Sequence, residues 1–269
     1  MALAAVIQMT SAATVSDNLV VAYALLKQAA QAGAQLAVLP ENFVLMGQHE
    51  HDKFAIAEQQ GSGPIQAWLS ATAREFNLWI VAGTMPMKLP NESRVAAACL
   101  VIDAQGHCVA RYDKMHLFDV EVNDAHGSYR ESASMAPGSQ PQCVDTPIGK
   151  LGLAICFDVR FPELFRVLSA QGAQVLVLPA AFTVPTGRAH WQVLLRARAI
   201  ENLSFMLAAA QVGLHTNGRE TYGHSMIVDP WGEVLGCKVN EPGFVIAEIN
   251  LEQQRETRRR FPVLSQRRL

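Results

Sequence analysis

Charged residues are few in this chain. Of 269 residues, 17% are Asp, Glu, Lys or Arg, and the formal net charge is −2, whereas soluble domains usually carry about 25% charged residues. Without a basic excess there is no electrostatic case for nucleic acid, and a 50% hydrophobic content excludes a disordered chain. Long apolar runs are also missing. The longest, residues 95–102, falls far short of the roughly 20 residues that span a bilayer, so no membrane association is expected. The opening Met1-Ala-Leu-Ala-Ala-Val-Ile-Gln8 lacks the positive start of a signal peptide. The five cysteines (Cys99, Cys108, Cys143, Cys156 and Cys237) include no C-x-x-C pair. That speaks against a disulfide framework and a zinc site, and suits a reducing, cytoplasmic compartment. Neither H-E-x-x-H nor G-x-S-x-G occurs, so the patterns of a zinc hydrolase and of a serine nucleophile elbow are both absent. No metal or cofactor is expected.

What the chain does contain is itself, twice. Gly33-Ala-Gln-Leu-Ala-Val-Leu-Pro-Glu-Asn-Phe43 resembles Gly172-Ala-Gln-Val-Leu-Val-Leu-Pro-Ala-Ala-Phe182, and Leu100-Val-Ile-Asp-Ala-Gln-Gly106 resembles Met226-Ile-Val-Asp-Pro-Trp-Gly232. Between them Arg74-Glu-Phe-Asn-Leu-Trp-Ile-Val-Ala82 parallels Ala199-Ile-Glu-Asn-Leu-Ser-Phe-Met-Leu207. Two copies are too few for a solenoid. The pattern predicts one domain over residues 1–269, built of halves near 1–145 and 146–269. Each half reads as strand, helix, strand, helix, strand and then an antiparallel pair. Strands are expected at 3–9 and 151–157, 35–39 and 174–178, and 78–83 and 205–211. Helices are expected near 17–32 and 162–171, and near 64–76 and 189–202. The strands are apolar on both sides, so each sheet needs helices on one face and the other sheet on its second face. The expected fold is α/β, a four-layer α-β-β-α sandwich with a pseudo-two-fold duplication. The stretch 113–147 reads as a long loop, and such loops often carry function.

The repeat also exposes where the halves differ. Glu41 stands where the second half has Ala180, and Cys156 stands where the first has Gln8. Ligands of α/β sheets gather at the carboxyl ends of strands, so a two-fold axis would bring an acid and a thiol face to face. Singly, a buried inert cysteine and a solvated carboxylate are the plainer readings; together, on a duplicated frame, they favour a shared site. Lys114 sits among Tyr112, Met115, Leu117 and Phe118. Partial burial there would demand a carboxylate partner, for which Glu41 and Glu131 are the candidates.

Leu39-Pro-Glu-Asn-Phe43, Tyr112-Asp-Lys-Met-His-Leu-Phe118 and Ala154-Ile-Cys-Phe-Asp-Val-Arg-Phe-Pro-Glu-Leu164 resemble, in order, the signature blocks of the nitrilase superfamily of carbon–nitrogen hydrolases. The resemblance covers nearly the whole chain. It implies a Glu–Lys–Cys triad at Glu41, Lys114 and Cys156, with a second glutamate at Glu131, and it implies the same sandwich fold. Pro185-Thr-Gly-Arg-Ala-His-Trp191, Leu194-Leu-Arg-Ala-Arg-Ala-Ile-Glu201 and Tyr222-Gly-His-Ser-Met-Ile-Val-Asp-Pro-Trp-Gly232 resemble the branch whose members cleave deaminated glutathione to an α-keto diacid and cysteinylglycine. The neighbouring ω-amidase branch, acting on α-ketoglutaramate or α-ketosuccinamate, is the alternative. Another amidase of the superfamily, or a non-catalytic binding protein on the same fold, stands behind it.

The resemblance implies a mechanism. Glu41 takes the Cys156 proton, the thiolate attacks the amide, Lys114 and the Phe157 N–H hold the oxyanion, and a thioester forms and is hydrolysed. Glu131 orients Lys114. A carboxylated substrate needs a cation, for which Arg188 and then Arg130 are the candidates; Arg160 is a weaker one. Asp158, Arg160 and Glu163 are expected to form an ion-pair network around the Cys156 turn. His116, His190 and His224 read as structural. The basic C-terminal run from Glu256 reads as a tail packed across a subunit, and the resemblance implies a homodimer or larger homo-oligomer.

Overall fold

In the computed structural model, which describes residues 2–49, 51–124 and 126–268, the first strand, β1 (Leu3–Gln8), sets the plan. Ala4 and Val6 point to one face and Ala5 and Ile7 to the other, and all four are fully buried. A strand buried on both faces lies between layers. Thr14 then accepts a hydrogen bond from the Asp17 N–H and opens α1 (Val15–Gln31). Its Ala22, Leu25, Leu26 and Ala29 pack in one cluster with Ala5 and Ile7. After β2 (Leu36–Val38) and the short α2 (Asp52–Ala55), proline enters the first turn of α3 (Pro64–Phe76). β3 (Trp79–Lys88), β4 (Val95–Ile102) and β5 (Cys108–Asp113) complete the first series.

A small hairpin, β6 (Asp119–Glu121) and β7 (Ser128–Arg130), precedes the second series. That series runs β8 (Cys143–Thr146), β9 (Gly149–Leu153), α4 (Pro162–Ala170), β10 (Val175–Ala180), α5 (Val184–Asn202) and β11 (Phe205–Ala210). The hairpin β12 (Val212–Leu214) and β13 (Glu220–Tyr222) follows. The chain then finishes with β14 (Ser225–Val228), β15 (Val234–Lys238), β16 (Gly243–Glu248) and α6 (Leu251–Arg260).

The sheet orders are β16-β1-β2-β3-β4-β5 and β15-β14-β11-β10-β9-β8. In each, three strands run parallel (β1, β2, β3 and β9, β10, β11). Two antiparallel strands flank them on one side and one antiparallel strand on the other. Val6, Val38, Val81 and Val101 of the first sheet share a core cluster with Leu153, Val177 and Leu207 of the second, and α4 and α5 cover the latter through Phe165, Leu168, Trp191 and Leu195. The architecture is the α-β-β-α sandwich. No helix among the described residues is long and apolar enough to cross a membrane.

The structure departs from the sequence reading in four places. The strand expected over 151–157 ends at Leu153, because Cys156 opens a 3₁₀ turn, Cys156–Arg160. The stretch 113–147 holds the β6–β7 hairpin, a 3₁₀ turn at Glu131–Ala133 and β8. The first sheet is not drawn from one half of the chain, since β16 returns to pair with β1, Leu3 opposite Glu248. The basic C-terminal run begins inside α6, where Arg258 donates to the Leu203 and Ala173 carbonyls of its own chain.

Candidate active site

Main-chain and side-chain hydrogen bonds staple the carboxyl ends of β1 and β2 to the end of β11 and to β14 in the other sheet. The Met9 carbonyl accepts from Val212 N–H at 2.8 Å. Gln8, at the position matching Cys156, is spent on this joint: its Oε1 accepts from Ser225 N–H at 2.9 Å. Gln211 Nε2 donates to the Glu41 carbonyl at 2.9 Å and fixes the backbone just beyond β2. Gly83 makes this geometry possible, because a Cβ there would lie 1.9 Å from the Pro40 carbonyl oxygen. Thr84 Oγ1 accepts from Asn42 N–H at 2.7 Å. Glu41 is thus aimed by a turn that is held from both sheets.

Lys114 leaves β5 on a segment tied to Ala97 by its N–H and to Gly138 by its carbonyl. Its ammonium is 2.8 Å from Glu41 Oε1, 3.0 Å from Glu131 Oε1 and 2.8 Å from Glu131 Oε2. The lysine is 2% exposed and Glu41 4%, so both carboxylates expected as partners are partners. Glu131 also accepts from Phe118 N–H at 2.7 Å, which ties the long connection to the ion cluster.

Cys156 lies at φ +47°, a left-handed conformation uncommon for a residue with a Cβ. It is imposed by the turn from β9 into the 3₁₀ segment. Asp158, wholly buried, locks that turn: it accepts from Ile155 N–H (2.8 Å), Tyr112 O–H (2.7 Å), His116 N–H (3.0 Å) and His116 Nδ1 (2.7 Å). An ionised carboxylate only accepts, so the imidazole carries its proton on Nδ1. His116 also stacks on Phe161 with centroids 3.7 Å apart. The network expected from Asp158, Arg160 and Glu163 is therefore replaced. Asp158 pairs with Tyr112 and His116, and Arg160 points elsewhere, 3.3 Å from His190 Nδ1 and above the rings of Phe157 and Phe182. Phe157 is the second residue of the turn, and the first N–H groups of such a turn have no acceptor within it.

Cys156 lines the same cavity as Glu41 and Ala181, close enough for the thiol and the Glu41 carboxylate to act on each other. Burial pushes the Glu41 carboxyl up, but the adjoining Lys114 ammonium and the thiol outweigh it and hold the group below its ordinary value. Burial disfavours the Lys114 charge, yet Glu131 and Glu41 together raise it well above the usual lysine range. Burial and the Glu41 charge push the Cys156 thiol up. At neutral pH Cys156 rests as the thiol, Glu41 as the carboxylate and Lys114 as the ammonium. Moving the thiol proton to Glu41 leaves the net charge of this buried cluster unchanged, so no additional uncompensated charge is buried.

These groups form the floor of a cavity of about 320 Å³. Its walls come from the turns after β2, β10 and β12 and from the β6–β7 hairpin, and Arg130, Arg160 and Arg219 all line it. Arg188 does not. Thr186 lines the cavity and Gly187 is buried, whereas Arg188 lies on the exposed side of α5; two residues along a helix turn a side chain through about 200°. A helix over 189–202 would leave Arg188 in the loop before it, but α5 already starts at Val184. Arg219 was missed altogether. Its only local signal is a basic residue in a turn, Thr216-Asn-Gly-Arg219, remote in sequence from every block that marks the site.

The family model for carbon–nitrogen hydrolases matches residues 3–259. A deaminated glutathione amidase of Yersinia enterocolitica is 43% identical over 266 residues, 98% of this chain and 92% of its own length. One from a Synechocystis strain is 44% identical over 268 residues, 98% of this chain and 97% of its own. Among solved structures, the NitFhit protein of Caenorhabditis elegans superposes with a TM-score of 0.91 at 38% identity, covering 100% of this chain and 66% of that one.

Proposed function

Because this chain belongs to the carbon–nitrogen hydrolase family, we propose that Cys156, Glu41, Lys114 and Glu131 catalyse its reaction and that deaminated glutathione is its substrate. It is a cysteine-dependent amidase, a hydrolase of carbon–nitrogen bonds in linear amides other than peptide bonds. The observation that carries the residue assignment is the convergence of Cys156, Glu41, Lys114 and Glu131 on one arginine-lined cavity, with Lys114 bonded to both carboxylates.

Glu41 accepts the thiol proton as sulfur attacks the amide carbonyl, and the developing oxyanion is held by Lys114 and the Phe157 N–H. The tetrahedral adduct collapses, the C–N bond breaks, and Glu41 hands its proton to the leaving amine. A thioester then joins the acyl group to Cys156. Glu41 next takes a proton from water, hydroxide adds to the thioester, and the acid departs as the sulfur regains a proton. Lys114, held far above its usual range by two carboxylates, stays an ammonium throughout and cannot be the base. Glu131 keeps it aimed. Arg160, facing Cys156 over two aromatic rings, holds the carboxylate of the acyl group.

The test of the substrate is kcat/KM on deaminated glutathione against α-ketoglutaramate. The two share an acyl group and differ in the leaving amine. A preference of at least about tenfold for the first is expected, corresponding to roughly 1.4 kcal/mol of added transition-state binding. The reverse preference makes the protein an ω-amidase.

We further propose a homo-oligomer in a cytoplasmic setting. Val193 (68% exposed) and Ile200 (43%) on α5, with Trp231 (57%), leave apolar side chains uncovered, and all five cysteines are free. A sedimentation mass equal to one chain at micromolar concentration rules out the assembly.

A further inference from the structure

The cavity carries a cation at each end of an aromatic row. Tyr129, Phe118 and Phe157 follow one another with ring centroids 5.1 and 5.2 Å apart. Arg219 lies over Tyr129 at 5.3 Å and Arg160 over Phe157 at 5.6 Å. Both guanidinium groups line the cavity that holds Glu41 and Cys156.

Arg219 is held in place without being neutralised. Its Nη2 donates to the Ala181 carbonyl, and Nε is buried with no acceptor. Its backbone N–H donates to Asn217 Oδ1 at 3.0 Å, and Asn217 Nδ2 donates to the Gly47 carbonyl at 2.9 Å. The turn that carries Arg219 is therefore pinned to the opposite wall of the cavity. No carboxylate pairs with Arg219 among the described residues. A fixed guanidinium with no carboxylate in contact and its fork partly unused is suited to bind an anion.

The direction of the reaction assigns that anion. Glu41 delivers its proton to the departing nitrogen, so the leaving group lies on the Glu41 side of the scissile carbonyl, and the turn that carries Arg219 is pinned through Asn217 to the segment that follows Glu41. We propose that Arg219 binds the terminal carboxylate of the dipeptide leaving group and so selects amides of a carboxylated amine over primary amides. This rests on the assignment of Glu41 and on the substrate proposed above. The two arginines then divide the substrate, Arg160 holding its acyl end and Arg219 its amine end.

The experiment measures kcat/KM for the wild-type protein, R219Q, R219K and R160Q on deaminated glutathione and on α-ketoglutaramate. In R219Q the ratio of the two constants falls about 10- to 100-fold, as expected for a lost charge-assisted hydrogen bond, and R219K restores part of it. R160Q lowers both constants by similar factors. Inhibition by the product cysteinylglycine weakens in R219Q in step with the ratio, a readout that needs no turnover of the dipeptide amide. Equal losses on both substrates in R219Q, with unchanged inhibition by cysteinylglycine, overturn the proposal. If the wild type cleaves α-ketoglutaramate but not deaminated glutathione, the substrate reading fails instead, and cysteinylglycine binding still decides whether Arg219 holds a carboxylate. Should R219Q not fold, R219K carries the test through the same two readouts.

Discussion

Replacing Cys156 with alanine leaves a folded protein with no measurable amide hydrolysis. The expected loss in kcat is on the order of a millionfold, the scale at which removal of a nucleophile leaves only binding and oxyanion stabilisation. Folding survives because the thiol is not what holds the cluster together. Lys114 keeps both carboxylates at 2.8 Å, and Asp158 still locks the turn through Ile155, Tyr112 and His116. Alanine at φ +47° is no more strained than cysteine. Initial rates and a denaturant midpoint measured on the same preparation check both halves of this prediction. Serine at 156 does not restore the rate, because an alcohol is far harder to ionise than a thiol and Glu41 is held below its ordinary value.

Replacing Lys114 with methionine has the largest expected effect on stability. Removing one member of a buried ion cluster strands the charges left behind, at a cost of about 3–5 kcal/mol, and here two carboxylates are stranded facing each other. The pH dependence should also invert. In the wild type Glu41 sits below its unfolded value, so its contribution is present above the ordinary carboxylate range and lost as the pH falls through the folded value. Without the ammonium, burial, the largest influence on Glu41, raises it, and only the Cys156 thiol and Arg219 are left to lower it. Stability is then fullest below the unfolded value and is lost as the pH rises. Denaturant midpoints measured upward from about pH 4, the ordinary glutamate range, should fall with pH in Lys114→Met while they hold or rise in the wild type. Parallel curves would show that Lys114 does not set the charge state of Glu41. The variant should also lose amidase activity, since the oxyanion loses its cation.

How much of this was legible in the sequence follows from how each residue reaches the site. Glu41 and Cys156 were visible because the repeat supplies a control for each: Ala180 and Gln8 show what the same position becomes when it carries no chemistry. Lys114 was visible as a cation in an apolar setting. The strands β1 to β4, β10, β11 and β14 were largely readable because runs buried on both faces are apolar throughout, whereas β12 and β13 were not read. The edge strand β16 was not, since its residues are only half-buried and its pairing with β1 joins opposite ends of the chain. Arg188 was misplaced by helical phase, a matter of where α5 begins. Arg219 and the Asp158–Tyr112–His116 network were out of reach because their meaning lies in contacts across the two sheets, and no local pattern encodes those.

The central claim is that one acyl group passes through the sulfur of Cys156 whatever amine departs. Hydroxylamine added during turnover competes with water for that acyl group. The account predicts a single ratio of hydroxamate to acid, the same from deaminated glutathione as from α-ketoglutaramate, because both yield the same thioester. A ratio that differs between the two substrates would mean that water attacks the amide directly, with no shared intermediate on Cys156.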